Sequence, residues 1–176
     1  MRSKQAVTIY HTTFTSPIGK MHLGMTERGL CCVGWNVSSW ENFLDTAKQR
    51  FTANLKSDES KFNGIKHDIE QYFAGKLKQF TTPVDLFVLT PFQQKVLKAT
   101  QAIEFGTVRS YREIAVETGC PGASRAVGNA LGRNPVPIVI PCHRVIKTDG
   151  TLGGFSGGLD IKRYLLRLEN YGERFL

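Results

Sequence analysis

The chain has 176 residues, of which 41% are hydrophobic and 22% charged, ordinary values for a globular protein and too apolar for a disordered one. This length can bury a core in one large domain or two small ones without help from a disulfide or a metal. A formal charge of +8 and a pI near 9.5 favour a polyanionic partner, but the excess is spread over both halves and does not locate a binding face. Neither a secretory signal nor a transmembrane run is recognisable, so we expect a cytoplasmic protein, nuclear in a eukaryote, that does not bind membranes.

The four cysteines are expected to be free thiols, because a reducing compartment and a core of this size make disulfides unnecessary. They are Cys31, Cys32, Cys120 and Cys142. The adjacent Cys31 and Cys32 are predicted to belong to a buried strand.

The first part of the chain predicts a small α+β domain over residues 1–80. Three runs rich in β-branched and aromatic residues, AVTIYHTTF, MHLGMT and LCCVGW, are separated by turn-like SPIGK and ERG and predict an antiparallel meander. SSWENFLDTAKQRF predicts a helix with apolar residues at helical spacing, namely Trp40, Phe43, Leu44, Ala47 and Phe51. NGIKHDIEQYFAG predicts a second helix whose inward residues are Ile65, Ile69, Tyr72 and Phe73.

The second part predicts a mostly helical domain over residues 91–176, after a connecting segment at 81–90 that has no helical period. Thr90 before Pro91 has the form of a helix start. PFQQKVLKATQAIEFG then spaces four apolar residues along one face, namely Phe92, Val96, Ala99 and Ile103. SYREIAVETG, ASRAVGNALGR and LDIKRYLLRLEN predict further helices.

Two of these helices are joined by a turn from Gly119 to Gly122. Their lengths and the glycines of the turn are typical of a helix-turn-helix. Many such hairpins are only structural, so the motif alone leaves DNA binding open. The second helix carries one long cation, Arg125, among small residues, which are Ala123, Ala126, Gly128 and Ala130. Small residues allow close approach to a narrow groove or to another helix, and both interpretations stand.

In NPVPIVIPCHRVI, three prolines exclude a helix and predict that Cys142 is displayed in a fixed position. A cysteine attacks as its thiolate, so a base or cation is expected nearby, and His143 and Arg144 follow directly. Adjacent side chains diverge, which predicts a water between Cys142 and His143. The alternative is a buried cysteine beside a core histidine.

The glycines of GGFSGG, residues 153–158, have no phosphate-loop context. They predict close approach to a flat ligand, with Phe155 as a packing surface and Ser156 as a donor, or else a flexible hairpin. In the last helix Lys162 and Glu169 share a face. Glu169 is a candidate for orienting an imidazole, and a solvated carboxylate is the alternative.

Tyr111, Arg125 in SRAVGNAL, RNPVPIVIPCHRVI and GGFSGG together closely resemble the O6-alkylguanine-DNA alkyltransferases. The likeness covers most of residues 91–170, whereas the first half is similar only in its general pattern. It implies DNA repair by a methylated-DNA-[protein]-cysteine S-methyltransferase that acts once. Such a protein moves the alkyl group of a flipped-out guanine irreversibly onto its own cysteine, without a cofactor.

The resemblance also implies catalytic roles. Cys142 corresponds to the alkyl acceptor, His143 to the base that acts through water, and Glu169 to the carboxylate that orients this histidine. Asn134 corresponds to the asparagine that ties the recognition helix to the active-site loop, and Lys162 to a lysine of the active-site wall.

The implied partner is double-stranded DNA containing O6-alkylguanine, with O4-alkylthymine as a further candidate, bound through the minor groove by a monomer. Tyr111 corresponds to the tyrosine that crowds the phosphate and donates to guanine N3, and Arg125 to the arginine that fills the vacated stack. The remaining residues of the implied DNA contact are Ala123, Ser124, Ala126 and Gly128. The implied base pocket consists of Tyr111, Pro137, Val145, Phe155 and Ser156.

Two departures from the family pattern are visible. Phe155 stands where many relatives carry tyrosine, so a hydrogen bond from that hydroxyl would be lost. The zinc-binding set that some relatives carry in the first domain has no match, and no metal is expected.

Three other functions fit part of the pattern. A non-catalytic alkyltransferase-like protein would recognise lesions, but such relatives lack the acceptor cysteine that is present here. A helix-turn-helix regulator would explain Arg125 but not PCHR or Glu169. A thiol hydrolase would need an oxyanion motif, which we do not find.

Overall fold

The computed structural model describes residues 5–35 and 37–171 of the chain. It divides into two compact units, Met1–Val88 and Leu89–Leu176. Within residues 81–90, where the sequence predicts a connection, the stretch 83–85 pairs with the first unit. Leu30 N–H donates to the Pro83 carbonyl at 2.8 Å and Asp85 N–H donates to the Leu30 carbonyl at 2.8 Å.

A four-stranded sheet in the order β3-β2-β1-β4 forms the base of the first unit. The predicted antiparallel meander is confirmed by three strands, which are β1 (Ala6–Ser16), β2 (Gly19–Thr26) and β3 (Gly29–Gly34). Met21 and Leu23 lie on the buried face of β2, and β3 is buried along most of its length. The prediction that Cys31 and Cys32 are free thiols in a buried strand is also confirmed.

The fourth strand, β4 (Thr52–Ser57), runs parallel to β1. Its sequence, TANLKS, does not predict a strand, because it lacks an alternating apolar pattern. In the structure most of its residues are exposed. Backbone pairing with Ala6–His11 therefore determines this element, rather than burial of its own side chains.

Helices α1 (Val37–Arg50) and α2 (Asn63–Phe73) complete the first unit, with a 3-10 turn at Glu59–Phe62 before α2. The sequence extends the first helix through Phe51, which is wrong by one residue. Phe51 instead packs edge-on against Phe87, with ring centroids 4.9 Å apart. The burial predicted for α2 is confirmed at Ile65, Ile69, Tyr72 and Phe73.

The second unit begins with α3 (Pro91–Gln101), and the predicted start is confirmed by a capping box. The Thr90 side chain accepts from Gln93 N–H, and the Gln93 side chain accepts from Thr90 N–H. The helix ends before 106, so the predicted face is only partly helical. Ile103 is buried just beyond the helix.

Three further helices follow, α4 (Tyr111–Glu117), α5 (Ser124–Leu131) and α6 (Leu159–Leu168). Two short strands, β5 (Arg109–Ser110) and β6 (Val145–Ile146), pair in parallel. Since β5 leads directly into α4, this pairing sets the start of α4 beside the segment that follows Cys142. The core of this unit includes Leu97, Ile114, Val127, Val136, Ile140 and Leu165.

Within residues 5–35 and 37–171, no helix is long and apolar enough to cross a membrane. The same residues contain no group of three or more His, Cys, Asp or Glu side chains placed to hold a metal ion.

Candidate active site and nucleic-acid interface

Cys142 begins a single 3-10 turn, Cys142–Arg144, immediately after Pro141. Cys142 N–H donates to the Ile140 carbonyl at 2.8 Å, and Arg144 N–H donates to the Pro141 carbonyl at 2.9 Å. A 3-10 helix has three residues per turn, so consecutive side chains leave it in directions far apart. Cys142 and His143 therefore diverge from one short, buried turn.

Asn134, three residues after the end of α5, holds this turn in place. Its Nδ2 donates to the Ile140 carbonyl at 3.0 Å and to Cys142 Sγ at 3.1 Å, while its Oδ1 accepts from Val136 N–H at 3.0 Å. One buried amide thus satisfies two backbone groups of the loop and contacts the thiol.

Burial raises the pKa of the Cys142 thiol above its ordinary value. The hydrogen bond from Asn134 and the charge of Lys162 act in the opposite direction, because both favour the thiolate. The site thus contains groups that stabilise a negative sulfur in a pocket that otherwise disfavours it.

Lys162 is fully buried and connects three backbone carbonyls. Its Nζ donates to Val145 at 2.6 Å, to Leu152 at 2.5 Å and to Gly154 at 3.4 Å. Burial lowers the pKa of Lys162 to about 8, against the opposing effect of a negative Cys142. Its ammonium ties β6 to the loop that follows and adds positive charge near the thiol.

His143 and Glu169 form a buried pair. His143 Nε2 lies 2.8 Å from Glu169 Oε1, and both side chains are inaccessible to solvent. Burial lowers the pKa of His143, and the carboxylate opposes this shift. The imidazole is therefore neutral near pH 7, as a base must be.

Arg144 donates two hydrogen bonds to the same carboxylate. Its Nε donates to Glu169 Oε2 at 2.8 Å and its Nη2 to Oε1 at 2.9 Å. Burial by itself would raise the pKa of Glu169, but hydrogen bonds from His143 and Arg144, with their charges, lower it to about 2. Glu169 is thus a buried ion. The sequence alone leaves open the alternative that it is a solvated carboxylate at the surface.

A cavity of about 510 Å³ opens beside the thiol. Cys142 lies in its wall together with the predicted site residues Tyr111, Ser124, Arg125, Gly128, Phe155 and Ser156. Other residues that line it are Arg112, Leu131, Gly132, Lys147, Thr148, Gly153 and Gly154. A volume of this size suits a purine base with a substituent.

The helix-turn-helix supplies one wall of this cavity. Ser110 caps α4 through a capping box with Glu113, which fixes the position of Tyr111 at the first residue of the helix. A β-carbon on Gly128 of α5 would lie 3.7 Å from the Tyr111 ring, an ordinary contact. Arg125, in the first turn of α5, is exposed at the cavity.

Tyr111 also contacts the glycine loop on the far side. Its hydroxyl donates to the Gly154 carbonyl at 3.3 Å. Gly153 has φ +66°, and a β-carbon there would lie 2.8 Å from the Tyr111 hydroxyl oxygen, too close for any other residue. Burial and the nearby Cys142 raise the pKa of Tyr111, so it is a neutral donor at pH 7.

Of the residues predicted for the DNA contact and the base pocket, four do not line this cavity. Pro137 and Val145 are buried, Ala123 lies partly buried before α5, and Ala126 is exposed on α5. The Val145 carbonyl, which the resemblance assigns to base recognition, accepts from Lys162.

The sequence indicates Arg144 only as a possible cation beside the thiol, and no motif in it indicates that Arg112, Lys147 and Thr148 line the cavity. Burial of Arg144 has no sequence signal, because an arginine in a loop is exposed by default. Gly153 and Gly154 belong to the GGFSGG motif, whose glycines the sequence predicts to lie close to a flat ligand, and both line the cavity.

A helix-turn-helix beside a cavity whose wall contains a hydrogen-bonded thiol is the arrangement that a DNA-binding protein with an acceptor cysteine requires. The model for the DNA-binding domain of 6-O-methylguanine DNA methyltransferase matches residues 91–171. The model for the ribonuclease-like domain of the same family matches residues 9–86.

Individual relatives agree with these matches. The methylated-DNA–protein-cysteine methyltransferase of Methanosarcina barkeri is 42% identical, over 92% of this chain and 97% of its own. The inducible enzyme of that name from Bacillus subtilis is 39% identical, over 92% and 90% of the two chains. The crystal structure of Mycobacterium tuberculosis OGT in complex with DNA has a TM-score of 0.75 and 40% identity, over 91% and 92%. The chain therefore belongs to the 6-O-methylguanine DNA methyltransferase family.

Proposed function

We propose that this protein repairs duplex DNA by transferring the alkyl group from O6 of a flipped-out guanine to Sγ of Cys142, with O4-alkylthymine as a second lesion. The observation that carries the proposal is the position of Cys142, whose thiol faces a base-sized cavity next to the helix-turn-helix. Membership of the family supports DNA repair by alkyl transfer to a cysteine. The roles proposed below for individual residues are argued from the geometry of the site.

The base has to leave the helix before it reacts, because a buried thiol cannot reach O6 of a paired guanine. Extrusion costs a few kcal/mol, which is lower for a damaged pair. Arg125 is suited to filling the vacated stack, since it is exposed at the mouth of the cavity on α5. The small or short side chains around it, Ala123, Ser124, Ala126 and Gly128, allow α5 to approach a minor groove.

The thiol loses its proton before or during attack. Nε2 of His143 faces Glu169, so the proton of Cys142 passes through a water to Nδ1. Asn134 and Lys162 stabilise the resulting thiolate.

Sulfur then attacks the alkyl carbon in line, the carbon–O6 bond breaks, and its electron pair goes to the guanine. Tyr111 donates to N3 to stabilise the developing negative charge. This requires its hydroxyl to leave the Gly154 carbonyl when the base enters.

The other walls of the cavity select the base. Phe155 offers a flat apolar surface, Ser156 a donor for O6, and the loop around Gly153 close backbone approach. The Val145 carbonyl, which accepts from Lys162, can still accept from the exocyclic amine through its second lone pair.

The product is a thioether, and we propose no second group that would reverse it. Each molecule therefore acts once. We propose that it acts as a monomer, in the compartment that contains the DNA. A regulator built on the same helix-turn-helix is not favoured, since it would have no use for the thiol or for the buried ions behind it.

The test is incubation with duplex DNA containing a single O6-methylguanine, followed by peptide mass spectrometry. We expect one methyl group on the peptide that contains Cys142 and no repair beyond one equivalent. An unmodified protein, or a methyl group on Cys120 instead, would contradict the proposal.

Two cysteine variants serve as controls. Cys142→Ser should keep its affinity for DNA while losing transfer, because it removes the nucleophile and leaves α5 intact. Cys120→Ser, at a half-buried thiol that does not line the cavity, should react as the parent does. Loss of DNA binding in Cys142→Ser would mean that Cys142 is structural.

A further inference from the structure

Arg144 is a buried cation that the proposed transfer does not use. It is 5% exposed, and besides its two bonds to Glu169 its Nη1 donates to the Ile103 carbonyl. The ring of Phe105 lies 5.8 Å from its guanidinium carbon. Burying a cation is costly unless it is paired and hydrogen-bonded, and here Glu169 supplies the pairing.

The Glu169 carboxylate accepts hydrogen bonds from Arg144 and also faces His143. Glu169 Oε1 lies 2.8 Å from His143 Nε2 and 2.9 Å from Arg144 Nη2. An ionised carboxylate can only accept hydrogen bonds, so Nε2 must carry the imidazole proton and Nδ1 the lone pair. A protonated Glu169 could instead donate to Nε2, and the imidazole proton would move to Nδ1.

The charges around this pair favour the first arrangement. Glu169 is faced by His143 and Arg144 and also accepts from the backbone N–H of Gly106 at 3.3 Å. His143 is faced by Glu169, Arg144 and Lys162, and the two cations disfavour a charged imidazole. Loss of Arg144 would therefore promote protonation of both Glu169 and His143.

We propose that Arg144 is a positioning residue for alkyl transfer, which holds Glu169 as a carboxylate and thereby fixes His143 in the Nε2–H tautomer with Nδ1 as proton acceptor. This inference rests on the proposed roles of Cys142 and His143. Arg144 does not line the cavity, so it acts through Glu169 and through its charge near His143 rather than on the base.

The first test is the single-turnover rate of methyl transfer as a function of pH. In the parent the rate should fall only below about pH 6.5, where an ordinary histidine becomes charged. In Arg144→Gln that fall should begin at higher pH, with a loss of about tenfold at pH 7 that is largely recovered at pH 9.

Arg144→Lys keeps the charge but loses the two-pronged contact, so its acidic fall should lie between the other two. This variant also preserves the test if Arg144→Gln does not fold. Arg28→Gln is the matched control, because Arg28 contacts another buried carboxylate, Asp85, at 3.0 Å in the first unit. It should leave the pH profile unchanged.

A second test does not depend on transfer. Nitrogen-15 NMR of the histidine rings in unreacted protein should give the Nε2–H tautomer for His143 in the parent and a loss of that tautomer in the Arg144 variants. The inference would be overturned if the Arg144 variants kept the shape of the parent's pH profile, with rates lowered by the same factor at every pH. It would also be overturned if both variants kept the parent's tautomer of His143. Correct tautomers in a parent that does not methylate Cys142 would instead refute the proposed function alone.

Discussion

Asn134 shows how one side chain serves both the architecture and the chemistry of the site. It satisfies the Val136 N–H and the Ile140 carbonyl and also donates to the thiol of Cys142. A buried amide of this kind lowers the pKa of the thiol because it interacts more strongly with a negative sulfur than with a neutral one.

Replacing Asn134 should therefore change stability and reactivity together. Asn134→Ala leaves two buried backbone groups without their partner, at a cost of about 2 to 4 kcal/mol of unfolding free energy. Asn134→Asp keeps the acceptor for Val136 N–H but puts a negative charge beside the thiol. Both variants should raise the pKa of Cys142, Asn134→Asp more strongly, as measured by the rate of iodoacetamide alkylation against pH.

Asn42→Ala, on an exposed face of α1, is the control and should alter neither property. An unchanged alkylation profile in both Asn134 variants would mean that the contact with sulfur has no electrostatic effect.

At the scale of elements, the loop around residues 152–154 is fixed from two sides. Lys162 of α6 donates to carbonyls of Leu152 and Gly154, and Tyr111 of α4 closes on Gly153 and Gly154. The width of the cavity between α4 and this loop therefore depends on the absence of a side chain at one position.

Gly153→Ala should narrow the cavity and strain the backbone, because its β-carbon would meet Tyr111 at 2.8 Å in a left-handed conformation. We expect slower transfer, with a greater loss for a bulky alkyl group than for methyl. Competition between O6-methylguanine and O6-benzylguanine substrates measures this selectivity.

Gly154→Ala is a matched control in the same loop, since no atom lies within 4 Å of its β-carbon position and its φ is not left-handed. It should retain the parent's selectivity. Equal losses in the two variants would show that loop flexibility, rather than contact with Tyr111, sets the rate.

At the scale of the whole molecule, the reaction should lower the stability of the protein that performs it. Cys142 is only 5% exposed and contacts Asn134, so a methyl group on sulfur adds bulk to a packed position. Overpacking costs about 1 to 3 kcal/mol. In a unit of this size, each kcal/mol lowers the melting temperature by roughly 4 to 8 °C.

Calorimetry before and after one equivalent of methylated DNA should detect this decrease. Protein treated with unmodified DNA of the same sequence is the control. Equal melting temperatures for the methylated and control proteins would refute the prediction.

The lowered pKa of Glu169 predicts how the free energy of unfolding depends on pH. Its pKa is lowered to about 2 in the folded state from an ordinary 4.5, so its contribution is present above about pH 4.5 and is lost as pH falls toward 2. For a group with no exposed side-chain area, this shift corresponds to about 3 kcal/mol.

Glu169→Gln cannot titrate and should be less stable than the parent at pH 7, where it leaves Arg144 and His143 without their anion. The difference in unfolding free energy, measured with urea, should narrow between pH 5 and pH 2. A constant difference over that interval would mean that Glu169 is not ionised in the folded protein.

Local sequence determines many of the elements, because their causes are close in the chain. The meander follows from β-branched runs and turns, α3 from Thr90, Pro91 and Gln93, and the buried face of α2 from its apolar spacing. The motifs around Cys142 and Arg125 also suffice to indicate the family, since they combine uncommon residues at fixed spacing.

What the sequence does not determine depends on contacts between distant residues. Strand β4 exists because β1 pairs with it, and helix α1 stops before Phe51, which packs edge-on against Phe87. Whether Glu169 is a solvated carboxylate or a buried ion depends on the guanidinium of Arg144, 25 residues away in the chain. Only the tertiary structure decides this, because it brings the charge that offsets burial.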